Sequence, residues 1–82
     1  MERIEILNRI QKIIEDILKH NRFEMRDDLT ATEVDGWDSL SHMIIINEIE
    51  NDFKIRFKLK ELNKLKNMGS LIEIIESKLK IE

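Results

Sequence analysis

The 82 residues carry a net charge of −3, are 38% charged and 5% aromatic, and include neither cysteine nor proline. That length holds a single domain, 1–82; the missing cysteines exclude a disulfide framework, a thiolate metal site and a thiol nucleophile, and 28 Ile, Leu, Val and Phe residues exclude a disordered chain. The longest apolar run, Met43-Ile44-Ile45-Ile46, is too short to span a membrane, and Met1-Glu2-Arg3-Ile4 lacks the basic-then-apolar order of a signal peptide, so a soluble, cytoplasmic, mostly helical domain is expected.

A first helix is predicted over 2–19. Ile4, Leu7, Ile10, Ile14, Ile17 and Leu18 recur every three or four positions, as an amphipathic helix requires. Ile6 and Ile13 widen the stripe, which implies contact with two neighbouring elements. Nothing in this segment is chemical in character; His20 closes it, where a cation is favoured by the helix dipole. From 20 to 37 the helical rhythm stops. A loop of this length in so small a domain is functional or disordered, and Phe23, Leu29, Val34 and Trp37 predict that it is ordered, pinned to the core by its apolar side chains. It ends at Asp35-Gly36, a turn signal resting on the positive φ that glycine accepts.

The second helix is predicted from Asp38-Ser39 to Phe53, with either residue able to cap it. At about 100° per residue, Ile45, Ile46, Ile49 and Phe53 gather on one side with His42. Leu40, Met43 and Ile44 fall on the opposite side, beside Asn47, Glu48 and Asn51. Three large apolar side chains on a face expected to be wet mark a contact surface. Lys54-Ile55-Arg56-Phe57 alternates like a strand but has no partner strand, so an extended linker is expected. A short helix over 58–65 is predicted to bury Leu59 and Leu62. The last helix is predicted over 68–80 with Leu71, Ile72, Ile75 and Leu79 inward, capped by Asn67 or by Ser70, which has capping-box spacing to Glu73. The predicted fold class is therefore all-α: a small four-helix bundle of three longer helices and one short third helix, with a long ordered loop between the first two.

Charge is unevenly placed. Residues 20–53 carry nine acids and two bases, whereas 54–66 carry six bases and one acid. An acidic middle followed by a basic segment fits a charge-steered protein partner better than nucleic acid. The plainer reading of 54–66 is a solvated helix face.

The informative segment is Asp35-Gly36-Trp37-Asp38-Ser39-Leu40. It sets a serine hydroxyl at a helix start, where the helix dipole and free amides favour an anion such as a phosphate ester. In isolation the same residues read as an ordinary Asp/Ser cap. In context, Asp38-Ser39-Leu40, preceded by Gly36 and followed by Phe53, Phe57, Leu62, Leu65, Met68, Leu71 and Ile75, resembles the acyl carrier protein family, whose signature is Asp-Ser-Leu at the start of the second helix. The resemblance covers nearly the whole chain, with the first helix and long loop matching in length and pattern only.

The resemblance implies a non-enzymatic carrier. A phosphopantetheinyl transferase would join 4′-phosphopantetheine to Ser39 through a phosphodiester, with Asp38 supporting the loading by organising that enzyme's metal ion. Acyl intermediates of lipid, polyketide or similar biosynthesis would ride on the arm as thioesters. Acyl-loading and acyl-transferring enzymes would dock on Leu40, Met43, Ile44, Asn47, Glu48 and Glu50. The chain departs from the family pattern at Ile44 and Asn51, where glutamate is usual, and in its basic 54–66 segment, usually acidic. These departures imply a specialised, freestanding carrier with its own partners. Trp37 fits such a carrier, although a plug that closes the loop is the simpler role.

Other readings are weaker. Ser39, His42 and a nearby Asp35 or Asp38 can be written as a hydrolytic triad, but so short a chain offers no water-excluding pocket or oxyanion hole, and His42 is expected at the boundary of core and surface. Neither histidine has metal-site spacing, and Asp27, Asp28, Glu33, Asp35 and Asp38 lack the order of a calcium loop, so no metal site is expected. Nucleic-acid binding and membrane insertion are not expected, and a monomer is. A small helical adaptor without a prosthetic group, with Ser39 only a cap, is the alternative from another class. A peptidyl or aminoacyl carrier is the alternative within the class, though Trp37-Asp38 replaces the glycine-rich approach and histidine usual there.

Overall fold

Residues 2–80 are described by a computed structural model, and they form four α-helices and no strand. Helix α1 covers Arg3–Leu18, α2 Ser39–Phe53, α3 Leu59–Leu62 and α4 Met68–Lys80. The all-α bundle with one short helix is thus the fold of this chain. None of these helices is long and apolar enough to cross a membrane.

The core is built from Ile6, Ile10 and Ile14 of α1, Ile45, Ile46, Ile49 and Phe53 of α2, and Met68, Leu71, Ile72 and Ile75 of α4. Helix α1 packs against both α2 and α4, which is why its apolar stripe is wide. One expected core position is wrong: Ile4 is 60% exposed. Ile6, Ile10 and Ile14 follow one another at four-residue spacing and share a face. Ile4 lies about 200° around the helix from Ile6 and so faces away.

Leu59 is a second correction. It is 76% exposed, and α3 is a single turn instead of the predicted 58–65. A four-residue helix cannot present a stripe. The inward positions of this region are the half-buried Leu62, at the end of α3 as expected, and Ile55, Phe57 and Leu65, which pack on the core from non-helical backbone on either side of it. Glu50 fixes the linker, its carboxylate accepting from Phe57 N at 2.9 Å. Glu61 then ties α3 to the end of α4, accepting from Lys58 N at 2.6 Å and Lys78 Nζ at 2.8 Å.

The loop between α1 and α2 is ordered by backbone as well as by side chains. Met68 N donates to Leu29 O and Gly69 N to Asp27 O, both at 2.8 Å. Amides in the first turn of a helix have no partner within it, so α4 uses them to hold the loop. A Cβ on Gly69 would stand 3.1 Å from Asp27 O, so glycine permits this approach. Leu29 and Val34 are buried beneath, and Arg26 pairs with Asp28 and Glu33 at the surface. Of the two caps expected for α4, Asn67 is the one used, and Ser70 pairs with it instead of with Glu73. Asn67 Oδ1 accepts from Ser70 N at 2.9 Å and Ser70 Oγ accepts from Asn67 N at 3.1 Å, so the reciprocal pair lies one turn earlier.

Candidate functional site

Helix α2 starts from a stiff turn. Gly36 has φ +85°, in the region glycine enters freely, and its carbonyl accepts from Ser41 Oγ at 2.8 Å. His20 supports the same turn. Its Nε2 lies 2.7 Å from Asp35 O while its Nδ1 accepts from Arg22 N at 3.0 Å, so the proton sits on Nε2. His20 therefore buttresses the turn and is not the helix-end cation expected from its position. Lys19 takes the α1 C-cap instead, with φ 64°.

Asp38 caps α2. Its Oδ1 accepts from Ser41 N at 2.9 Å, and its backbone carbonyl accepts from His42 N at 2.8 Å. The Ser41 amide, above all, holds the Asp38 carboxyl below the usual carboxylate range. The ambiguity between Asp38 and Ser39 is thereby resolved. Ser39 is exposed, and its hydroxyl makes no hydrogen bond among the described residues. The hydroxyl is free, at the positive end of a fifteen-residue helix.

Trp37 and His42 flank it. Trp37 Nε1 donates to His42 Nδ1 at 3.1 Å, and the two rings lie near parallel at 29° with centroids 6.1 Å apart. Both rings are half-buried, consistent with Trp37 as the plug of the loop and His42 as a boundary residue. An open groove lined by Ala31, Trp37, Asp38, Ser39, His42 and Met43 lies over this pair. A narrower apolar cleft adjoining it also contains Trp37 and His42, with Leu65 and Lys66 in its lining. Among the described residues no group of three or more His, Asp or Glu is placed to hold a metal ion.

The apolar residues outside the core face of α2 are exposed, Leu40 by 73%, Met43 by 57% and Ile44 by 44%. Asn47 and Glu48 are exposed as well, on different flanks: Asn47 shares a surface hollow with Glu50, Lys54 and Arg56, whereas Glu48 faces Arg9, Lys12 and Asp16 of α1. Glu50 is half-buried and its carboxylate is engaged by the linker. Lys54, Arg56, Lys60, Lys64 and Lys66 are exposed and have no carboxylate partner among the described residues, in contrast to Arg3, Arg26 and Lys78. This basic segment begins at Lys54 and Arg56, beside Asn47 and Glu50 of α2, and ends at Lys66, in the cleft that holds Trp37 and His42.

Sequence reasoning did not anticipate the Trp37–His42 bond or the use of Ala31 in the groove. The 3-10 turn Ala31–Glu33 sets Ala31 there, and only a histidine five residues after a tryptophan hinted at the former.

Three carboxylates predict the acid response of the domain. Asp38, Glu33 and Glu61 all sit below their ordinary values, chiefly through the backbone amides of Ser41, Thr30 and Lys58 respectively. Their folded values lie below the unfolded ones, so their stabilisation is complete above the unfolded values and is lost as pH falls through the folded ones. The melting temperature should hold steady at higher pH and decline below about pH 4.5. Asp38→Asn, which keeps a capping oxygen, should shrink that decline when melting is followed from neutral pH into acid.

Neither a model of a known protein family nor a curated protein matches the chain. Among solved structures it is similar to a holo acyl carrier protein from Geobacter metallireducens, with a TM-score of 0.83 and 36% identity over 90% of this chain and 85% of that one. A likeness of this extent, together with Asp38-Ser39-Leu40 at the start of α2, four helices in the expected order and a free serine at the helix start, places the chain in the acyl carrier protein family.

Proposed function

We propose that Ser39 is the attachment point of a 4′-phosphopantetheine arm and that the chain presents acyl groups on it to pathway enzymes. The observation that carries this is the free, exposed Ser39 hydroxyl beside a cap already supplied by Asp38. In the loading step the Ser39 oxygen attacks the pyrophosphate of coenzyme A at the phosphorus bearing pantetheine. The new O–P bond forms as the P–O–P bridge breaks, adenosine 3′,5′-bisphosphate leaves, and the hydroxyl proton passes to a base of the transferase.

The residues fit the group. The groove over Trp37 and His42 is open to a chain leaving Ser39, the first turn of α2 favours an anion, and no side chain competes for the hydroxyl. When bound, the arm supplies the thiol that a chain without cysteine lacks. Asp38, ionised and fixed by the Ser41 amide, offers its second oxygen to the transferase's metal ion. The chain itself catalyses nothing; family members are carriers.

Partner choice follows from surface chemistry. Leu40, Met43 and Ile44 provide an apolar contact that would be costly to leave wet if it had no partner. The unpaired cations of 54–66 favour an enzyme face carrying acids beside an apolar socket, the reverse of what an acidic carrier selects. A specialised carrier with dedicated partners accounts for both. Ile44→Glu with Asn51→Glu should then raise turnover with enzymes of general fatty-acid synthesis, measured as acyl transfer per minute; an unchanged rate would remove this support. The primary test is the intact mass after incubation with coenzyme A and a broad-specificity phosphopantetheinyl transferase, with the modified peptide sequenced. Gain of one phosphopantetheine on Ser39 is expected. No gain with several transferases would leave the exposed patch as the contact of an unmodified helical adaptor.

A further inference from the structure

We propose that His42, oriented by Trp37, binds the arm carried by Ser39, its Nε2–H donating to an oxygen of the phosphodiester. The inference rests on the carrier reading and adds a residue-specific contact to it. Its starting point is the Trp37–His42 bond. An indole N–H can only donate, so the Nδ1 that faces it at 3.1 Å must be the bare acceptor and the proton must sit on Nε2. Nε2 has no hydrogen-bond partner among the described residues, unlike the Nε2 of His20, which is taken by Asp35 O.

Position supplies the second part. His42 lies three residues after Ser39, and helical Cα–Cβ bonds lean toward the N-terminus, so its ring overlies the turn that carries Ser39. Both residues line the same groove. Electrostatics supplies the third. A phosphodiester on Ser39 would stand beside the ionised Asp38, which already accepts from the Ser41 amide. Two anions side by side favour a donor beyond the first-turn amides, and the neighbouring side chains are Ala31, Trp37 and Met43, none of which has a donor to spare. His42 is the polar group left, with Lys66 across the adjoining cleft as the nearest cationic neighbour in the lining. Half-burial limits the competition from water.

The test uses the full chain, before and after loading with coenzyme A and a transferase. A phosphodiester does not itself titrate between about pH 5 and 8, whereas histidine does. The phosphorus NMR signal of the loaded protein should therefore move with pH, and lose that movement in His42→Gln but keep it in His20→Gln. Nitrogen–proton spectra of the unloaded protein should show His42 protonated on Nε2. On loading, the signals of His42 and the indole of Trp37, the sole tryptophan, should shift while those of His20 stay. Trp37→Phe, which keeps an aromatic ring but not the donor, should average the two nitrogens of the His42 ring and reduce the phosphorus response. A loaded protein whose phosphorus signal ignores pH and whose His42 signals do not move overturns this inference and leaves the carrier reading standing. Absence of loading overturns both. The wild-type comparison decides the matter even if His42→Gln fails to show a helical circular dichroism spectrum.

Discussion

Ser39→Ala is expected to abolish phosphopantetheine loading completely while leaving the fold intact. The chemistry needs one oxygen nucleophile, and alanine has none. The neighbouring serines cannot substitute, because Ser41 Oγ donates to Gly36 O at 2.8 Å and Ser70 Oγ donates to Asn67 O at 2.8 Å at the start of another helix. Were Ser39 the cap, its loss would cost about 0.5–2 kcal/mol. Asp38 is the cap, so an exposed hydroxyl without a partner is removed and stability should change by no more than about 0.5 kcal/mol. The pair of readouts is intact mass and thermal melting. A variant that still gains mass places the attachment elsewhere, and a variant that melts many degrees lower would return Ser39 to a structural role.

Ile49→Ala carries the largest expected cost in stability. Ile49 is fully buried on the face of α2 that meets α1, within the cluster that also holds Ile10, Ile45 and Ile72. Removing a buried isoleucine to alanine costs about 2–5 kcal/mol, from lost transfer energy and the cavity left behind. A domain this short has little reserve, and each kcal/mol lowers the melting temperature by about 4–8 °C at this size. A fall of about 8 °C or more is expected, with the urea midpoint lowered and the slope of the transition kept. Leu59→Ala, at a position 76% exposed, should stay within about 0.5 kcal/mol of the parent. A mild Ile49→Ala would mean that the bundle collapses around the gap. Because α2 carries both Ser39 and the exposed patch, the damaged variant should also load poorly at temperatures near its transition.

Much of the molecule was legible from residue spacing. The bounds of α1, α2 and α4, the inward set Ile45, Ile46, Ile49 and Phe53, and the exposed set Leu40, Met43 and Ile44 follow from helical periodicity, because neighbours three and four apart share a face whatever else the chain does. The glycine turn before α2 follows from the one backbone conformation glycine alone accepts cheaply. The placement of Ser39 at a helix start was readable for the same local reasons.

Other features were decided only when the helices met. Ile4 and Ile6 are equally apolar, and only the direction of α1 toward α2 and α4 chose Ile6 for the core. Leu59 lost its predicted burial because α3 is a single turn, with Phe57 of the linker before it and Leu62 at its end reaching the core instead. The long loop is held by Leu29 O and Asp27 O on the amides of Met68 and Gly69, residues some forty positions away whose meeting no local pattern encodes. Asp38 and Ser39 are both able caps in isolation; the turn at Gly36 aimed the carboxylate at the Ser41 amide and left the hydroxyl free. Periodicity and turn chemistry are properties of a few adjacent residues, so the sequence alone determined the three long helices, the two-faced α2 and the position of the serine. Which groups are consumed by internal bonds and which remain available depends on contacts between distant segments, and those only the tertiary structure decided.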